Sequence, residues 1–73
     1  MQTVEQELKE MAEWAMEQEH MFMGDVMTHV EEELMGTYYE VVNDYCDLCQ
    51  EDFYEVRDRL LSSVREHITC LHL

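Results

Sequence analysis

The spacing of hydrophobic residues along the chain predicts helices throughout. In the first third, apolar side chains recur mostly at steps of three and four, at Val4, Leu8, Met11, Ala15 and Phe22. This spacing is typical of one face of an α-helix, and it predicts a helix from Thr3 to about Met23. The alternation of apolar and polar residues that is typical of a β-strand is not sustained anywhere. The pattern therefore predicts an all-α protein.

Two glycines mark the predicted helix boundaries. Gly24 is expected to end the first helix, and Gly36 is expected to end a second, shorter helix that begins at Asp25. Glycine is common just after a helix because it adopts a positive φ without a Cβ clash. Each glycine is followed by a residue that can cap the next helix, Asp25 in the first case and Thr37 in the second.

The second half of the chain predicts one long helix that starts at Tyr38. This half has no glycine or proline, and as an unbroken helix it would hold about 34 residues and measure about 50 Å. Asp52 and Ser63 each precede a glutamate by three residues, so the pattern allows a bend near 50–52 or 62–63. The expected apolar face comprises Tyr38, Val42, Tyr45, Cys49, Phe53, Val56, Leu60, Val64 and Leu71, with Val41, Leu48, Leu61 and Ile68 alongside. The predicted fold is a small bundle of two shorter helices and one long C-terminal helix, straight or bent.

The length of the chain limits both its core and its chemistry. The 73 residues predict a single domain, 1–73, too small for a two-domain enzyme or a nucleotide-binding α/β fold. No nucleophile is paired with a base, so we expect a protein that is not an enzyme and needs no cofactor. Two short helices cannot cover the apolar face of so long a third helix. Seven methionines lie in the first 35 residues, where their flexible side chains suit a contact surface, and we therefore expect a homodimer.

Charge and composition limit the possible binding partners and the cellular location of the protein. The chain has 18 acidic and 4 basic side chains, a net charge of −14, which would repel nucleic acids and anionic membranes. No apolar run approaches the ~18 residues of a transmembrane helix, and the N-terminus lacks the apolar segment of a signal peptide. Three cysteines, an odd number, do not suggest a secreted disulfide framework. We expect a cytoplasmic protein, in the host cytoplasm if it is viral, without direct contact to nucleic acid or membrane.

The acidic residues of the second half follow a helical spacing. Steps of three and four separate Glu40, Asp44, Asp47, Glu51, Glu55 and Asp58. On one straight helix these carboxylates would form a continuous ridge about 27 Å long, with a charge about every 5 Å. Each strand of duplex DNA carries one charge per ~3.4 Å. The two charge densities agree within about a factor of two, so the ridge predicts a mimic of the phosphate backbone.

A partner that binds such a ridge must be basic, and nucleic-acid-binding proteins carry strongly basic surfaces. In charge and length, across the whole chain, the protein is similar to the small acidic DNA-mimic inhibitors encoded by phages and mobile elements. It shares no sequence motif with them, so no residue roles carry over. The resemblance implies an inhibitor that occupies the DNA- or RNA-binding surface of a host protein. Further candidate contact residues are the acidic cluster and three tyrosines near the ridge: Glu31, Glu32, Glu33, Tyr38, Tyr39 and Tyr54.

Two other interpretations remain open at this point. The charges can serve solubility alone, as charge runs on a solvated helix face commonly do. The protein can also be a structural or adaptor oligomer that binds a partner helix through its methionine-rich apolar face. In that case Met16, Phe22 and Met27 carry the binding, rather than the acidic residues.

Two Cys/His pairs have the spacing of zinc ligands. Cys46 and Cys49 form a Cys-x-x-Cys, and His67 and Cys70 follow after a gap of 17 residues. On a straight helix Cys46 and Cys70 are about 36 Å apart and cannot share a metal ion. The glycine or proline typical of zinc modules is also missing near the pair. We therefore expect no metal site and place Cys49 in the hydrophobic core.

Overall fold

The computed structural model of the protein describes residues 2–71, with side chains from Thr3 onward, and these residues form four helices. The helices are α1 (Gln2–Gln18), α2 (Met23–Met35), α3 (Tyr39–Cys49) and α4 (Phe53–Leu71). No strand occurs in the described part of the chain, so the all-α prediction is confirmed. The predicted number of three helices is wrong, because the long C-terminal helix is divided into α3 and α4. The alternative bend at 62–63 lies inside α4.

Three of the helices form the body of the bundle, and α3 packs mainly on α4. α1 contacts both α2 and α4, and α2 also contacts α4. Glu5 on α1 lies beside Ser63 on α4, and Glu13 lies beside His67, so these two helices run in the same direction. The bundle measures 37 × 21 × 18 Å.

One hydrophobic core collects side chains from all four helices. The buried residues are Val4, Leu8, Ala12, Ala15, Val26, Met27, Val30, Leu34, Val42, Cys46, Val56, Leu60, Val64 and Ile68. Within each helix they recur at steps of one, three and four, so each helix buries one face. Because the chain folds back between α3 and α4, Val42 and the α4 residues Val56, Leu60, Val64 and Ile68 of the long apolar face are buried within one chain. Other members of that predicted face, Val41, Leu48, Cys49 and Leu71, are exposed.

The first turn comes earlier than predicted. α1 ends at Gln18 rather than near Met23, and His20 adopts a left-handed conformation with φ 56°. The N–H of Met21 donates to the carbonyl of Ala15 across this turn, at 3.2 Å. The reason lies in the apolar pattern, which is interrupted after Ala15 and Met16 by four polar residues. A longer α1 would gain no buried surface there.

The first glycine does not end a helix. Gly24 lies in the first turn of α2, and neither glycine has a positive φ. The N-cap of α2 is Phe22, without a side-chain hydrogen bond, and Asp25 lies within the first turn instead of capping it. A carboxylate at that position still interacts favourably with the positive end of the helix dipole. The role predicted for Asp25 as the cap is therefore wrong, although its charge is well placed.

The second glycine closes α2 as predicted. Gly36 is the C-cap, and its N–H donates to the carbonyls of Glu32 and Glu33 at 2.9 and 3.3 Å. A Cβ at this position would lie 3.1 Å from the Glu32 carbonyl oxygen, which favours glycine. Thr37 does not cap α3, because its hydroxyl donates to the Glu33 carboxylate at 2.9 Å. The N-cap of α3 is Tyr38, one residue later.

The break between α3 and α4 occurs at residues 50–52, one of the two places that the sequence allowed. Gln50 caps α3 in a left-handed conformation, with φ 55° and ψ 41°. The N–H of Glu51 donates to the carbonyl of Cys46 at 2.9 Å, a bond that is typical of the Schellman motif. Asp52 then starts α4, since its carboxylate accepts the N–H of Glu55 at 3.3 Å.

Because Gln50 adopts a left-handed conformation, a glycine should stabilise the protein at this position, although it destabilises the interior of a helix. We expect Gln50→Gly to raise the free energy of unfolding by about 0.5–1 kcal/mol, because glycine adopts positive φ without steric cost. The matched control is Gln6→Gly at an exposed position in the second turn of α1, which should lower the free energy of unfolding by about 1 kcal/mol. Urea unfolding followed by circular dichroism measures both changes. Equal destabilisation by the two substitutions would contradict the left-handed conformation of Gln50.

Candidate acidic interaction surface

The six carboxylates of the predicted ridge do not lie on one straight helix. Glu40, Asp44 and Asp47 are on α3, Glu51 is in the turn, and the last two, Glu55 and Asp58, are on α4. The expectation of one continuous ridge of about 27 Å is therefore wrong, because the helical spacing is lost at the turn. A straight row remains on α3, where three carboxylates extend over about 10 Å.

Beyond α3, two of the remaining carboxylates are paired with arginines. Arg59 contacts Glu51 at 2.7 Å, and Arg57 contacts its neighbour Asp58 at 3.0 Å. The hydrogen bond from Arg59 lowers the pKa of Glu51 below its ordinary value. Glu55 is exposed. This part of the surface thus carries mixed charge rather than a purely acidic row.

The outward face of α3 is acidic without a compensating cation. Glu40, Asp44 and Asp47 are all exposed, and the sequence of α3 contains no lysine, arginine or histidine. In residues 2–71 none of the three forms an ion pair. The opposite side of the helix holds Val42 and Cys46, which are buried. We call the exposed side, consisting of Glu40, Asp44, Asp47, Val41 and Leu48, the outward face of α3.

Two large apolar side chains share this face. Val41 is 50% exposed and Leu48 is 86% exposed, although the sequence pattern placed both beside the apolar face of the long helix. They are seven residues apart, so they lie on the same side of the helix, with Asp44 between them. The sequence pattern did not identify these two residues as exposed, because it does not show which side of α3 contacts α4.

One of the three candidate tyrosines is tied to the bundle. Tyr38 is half-buried and packs against the core, and burial, followed by the nearby Glu7 carboxylate on α1, raises its pKa above the ordinary value. This tyrosine is therefore less accessible to a partner than the other two.

The other two tyrosines belong to an aromatic group where the start of α3 meets the start of α4. The ring of Tyr39 lies 5.1 Å from that of Phe53, whose ring lies 5.6 Å from that of Tyr54. The guanidinium of Arg57 lies 5.1 Å from the centre of the Tyr54 ring, at a distance typical of a cation–π contact. Tyr39, the first residue of α3, is 43% exposed and Tyr54 is 59% exposed, so both are accessible.

The acidic cluster on α2 lies in a different place. Glu31 and Glu32 are exposed, and Glu33 is half-buried. Glu31 borders a groove between α2 and α4 together with Asp58 and Arg65, and no residue of α3 lines that groove. The predicted acidic contact residues therefore divide into the row on α3, the mixed charges on α4 and this α2 cluster.

The residues with zinc-ligand spacing are not brought together. Cys46 is buried in the core, whereas Cys49 and Cys70 are exposed, so the placement of Cys49 in the core is wrong and its neighbour one turn earlier takes that position. His67 contacts Glu13 on α1. Within residues 2–71 no group of three or more histidine, cysteine, aspartate or glutamate side chains has a geometry that could hold a metal ion.

Three titrating side chains make the free energy of unfolding depend on pH in the alkaline range. Burial raises the pKa values of Tyr38 and Cys46, and the Glu51 carboxylate raises the pKa of Tyr45. The folded state therefore holds these protons more tightly than the unfolded state. The resulting stability is fully present below the unfolded pKa values, about 9–10, and is lost as the pH rises further.

We accordingly expect the free energy of unfolding to fall as the pH rises above about 9. Urea unfolding between neutral pH and pH 10.5 measures this dependence. Tyr45→Phe removes one of the titrating groups and should reduce the fall above about pH 10. A free energy of unfolding that stays constant over the whole range would contradict the raised pKa values.

Comparisons of the chain with known protein families, curated proteins and solved structures found no match. Among the described helices, none is long and apolar enough to span a membrane.

Proposed function

We propose that the protein is an inhibitor that binds the basic surface of a nucleic-acid-binding protein and thereby excludes DNA or RNA. The observation that carries this proposal is the outward face of α3, with three exposed carboxylates on a helix that has no basic residue. Like charges three or four residues apart destabilise a helix by a few tenths of a kcal/mol per pair. A basic partner would relieve this repulsion, which no lysine, arginine or histidine of α3 offsets.

The broken ridge changes how nucleic acid would be excluded. A phosphate-like spacing extends over only about 10 Å of α3, so the proposed inhibitor does not copy a long stretch of DNA backbone. Its net charge of −14 attracts a basic protein over long distances, and the bound bundle then blocks the surface. In this form the proposal keeps the similarity to small acidic inhibitors of phages in charge and length. It also keeps the expected cytoplasmic location.

The adaptor interpretation has less support from the positions of its residues. Met27 is buried, and Met16 packs against the core, so neither belongs to a free apolar face. Phe22 is 81% exposed but lies in the turn between α1 and α2. The homodimer also stays a proposal, opposed by the repulsion between two chains of charge −14. Sedimentation equilibrium of the free protein tests it.

Competition with nucleic acid tests the inhibitor proposal. The immobilised protein is exposed to a lysate at low salt, and bound proteins are eluted separately with duplex DNA and with high salt. We expect a basic protein in both eluates. Once purified, this protein should lose its nucleic-acid binding when the inhibitor is added, and the inhibition should weaken steeply as the salt concentration rises. A complex that survives about 1 M salt and leaves nucleic-acid binding intact would exclude the proposal.

A further inference from the structure

The outward face of α3 presents carboxylates and apolar side chains next to each other, so a partner must complement both. The carboxylates form one row, and Val41 and Leu48 form an apolar row directly beside it. Leu48, at 86%, is the most exposed of the large hydrophobic residues in the described chain. An exposed leucine alone needs no explanation. Two apolar residues one heptad apart, with a carboxylate between them, have the spacing that helices use to contact other helices.

The spacing of Val41 and Leu48 indicates that the partner contributes a helix. Val41 and Leu48 are about 10 Å apart along the helix axis, and an apposed helix presents apolar side chains at the same interval. The flanking Glu40 and Asp47 resemble the charged residues beside a coiled-coil contact, which select oppositely charged partners. A second copy of α3 is a poor occupant, because it would place three carboxylates opposite three others.

We propose that the outward face of α3 docks a basic amphipathic helix of the partner protein. The apolar side chains of that helix pack on Val41 and Leu48, and its lysines or arginines contact Glu40, Asp44 and Asp47. This proposal rests on the proposed function and specifies which element of the partner is recognised. α3 has 11 residues and extends over about 16 Å, so the contact is small and we expect an affinity in the micromolar range.

α1 offers the main competing surface. Trp14 is 57% exposed, and the helical spacing places it next to the exposed Glu10 and Glu17. α1 also contains Lys9, which pairs with Glu5 at 3.8 Å. With five glutamates against this one lysine, α1 is as acidic as α3, so charge alone does not separate the two surfaces. The difference is apolar: among the described residues of α1, Trp14 is the single large exposed hydrophobic one, whereas Val41 and Leu48 on α3 lie one heptad apart.

A pair of synthetic peptides tests the docking site. The first is a lysine–leucine peptide with leucines at i, i+3, i+4 and i+7, which forms a basic amphipathic helix. The second has the same composition with the leucines dispersed, so that it has equal charge and no apolar face. We expect NMR titration of the ¹⁵N-labelled full chain at low salt to shift the amides of α3. The amphipathic peptide should bind about tenfold more tightly than the dispersed one.

Substitution of Leu48 separates the apolar contact from charge attraction. Leu48→Ser should weaken binding of the amphipathic peptide about tenfold and leave binding of the dispersed peptide unchanged. The matched control is Phe22→Ser, at the other highly exposed hydrophobic residue, which should change neither. Because the Leu48 side chain is almost fully exposed, its replacement should not disturb folding, and circular dichroism checks this.

Three results would overturn the docking proposal. These are equal affinity for the two peptides with no effect of Leu48→Ser, amide shifts centred on Trp14 of α1 instead of on α3, and no binding of either peptide at low salt. The proposed function is judged by a different readout, the competition with DNA for the purified partner. Equal, salt-sensitive binding of both peptides would therefore refute helix docking and leave the inhibitor proposal in place.

Discussion

Leu34→Ala should remove a large part of the stability of the protein. Leu34 lies near the end of α2 and is fully buried. Truncating a buried leucine costs about 2–5 kcal/mol, because apolar contacts are lost and a cavity remains. At roughly 0.1 kcal/mol per residue, a domain of this size has a total stability of only about 7 kcal/mol. We expect the melting temperature to fall by more than about 10 °C, measured by circular dichroism.

The neighbouring residue provides the control for this substitution. Met35 is 37% exposed, and Met35→Ala should change the free energy of unfolding by at most about 0.5 kcal/mol. The comparison tests which face of α2 meets the core. Equal effects of Leu34→Ala and Met35→Ala would show that α2 is rotated relative to the structure described above.

Reversing the three charges on the outward face of α3 should nearly abolish binding to a basic partner. The triple variant E40K/D44K/D47K replaces three attractive contacts by repulsive ones, and we expect an affinity loss on the order of 100-fold at low salt. Isothermal titration calorimetry with the amphipathic lysine–leucine peptide, and then with the purified partner, measures the loss. Lysine favours a helix more than aspartate does, so α3 should stay folded.

A second triple variant distinguishes the effect of where the reversed charges lie from the effect of the changed net charge. E17K/D25K/E32K reverses three carboxylates on α1 and α2 that are also exposed. Each reversal changes the net charge by two, so both triple variants move it from −14 to −8. We expect this control to lose only about fivefold in affinity, through weaker long-range attraction. Equal losses in the two variants would mean that binding depends on net charge and not on α3.

The sequence predicts the helical class and much of the core, because burial of one helix face leaves a periodic pattern. Val4, Leu8, Leu60 and Val64 are buried as that pattern requires. The number of helices could not be predicted in the same way. The turn that comes earlier than predicted and the turn at 50–52, one of two allowed bends, each use a non-glycine residue in the left-handed conformation, at His20 and at Gln50. Such a conformation costs about 1–2 kcal/mol locally, and packing of the bundle outweighs it.

Residue spacing predicted only the first part of the acidic ridge correctly. Steps of three and four place residues on one face only while the helix continues, so Glu40, Asp44 and Asp47 form a row and the later carboxylates do not. The sign of this break in the sequence was Asp52, three residues before Glu55, a pattern that can start a new helix. The exposure of Val41 and Leu48 had no such sign, since a short helix with apolar residues on two sides can bury either side.

α3 is the helix that the core holds least firmly. It buries only Val42 and Cys46, whereas each of the other helices buries four residues. Local opening should therefore cost less free energy for α3 than for the rest of the bundle. The buried thiol of Cys46 becomes reachable only during such opening, whereas Cys49 and Cys70 are exposed throughout. The rate at which the Cys46 thiol is labelled should therefore report how often α3 detaches from the bundle. A partner bound to α3, as proposed above, should slow this labelling.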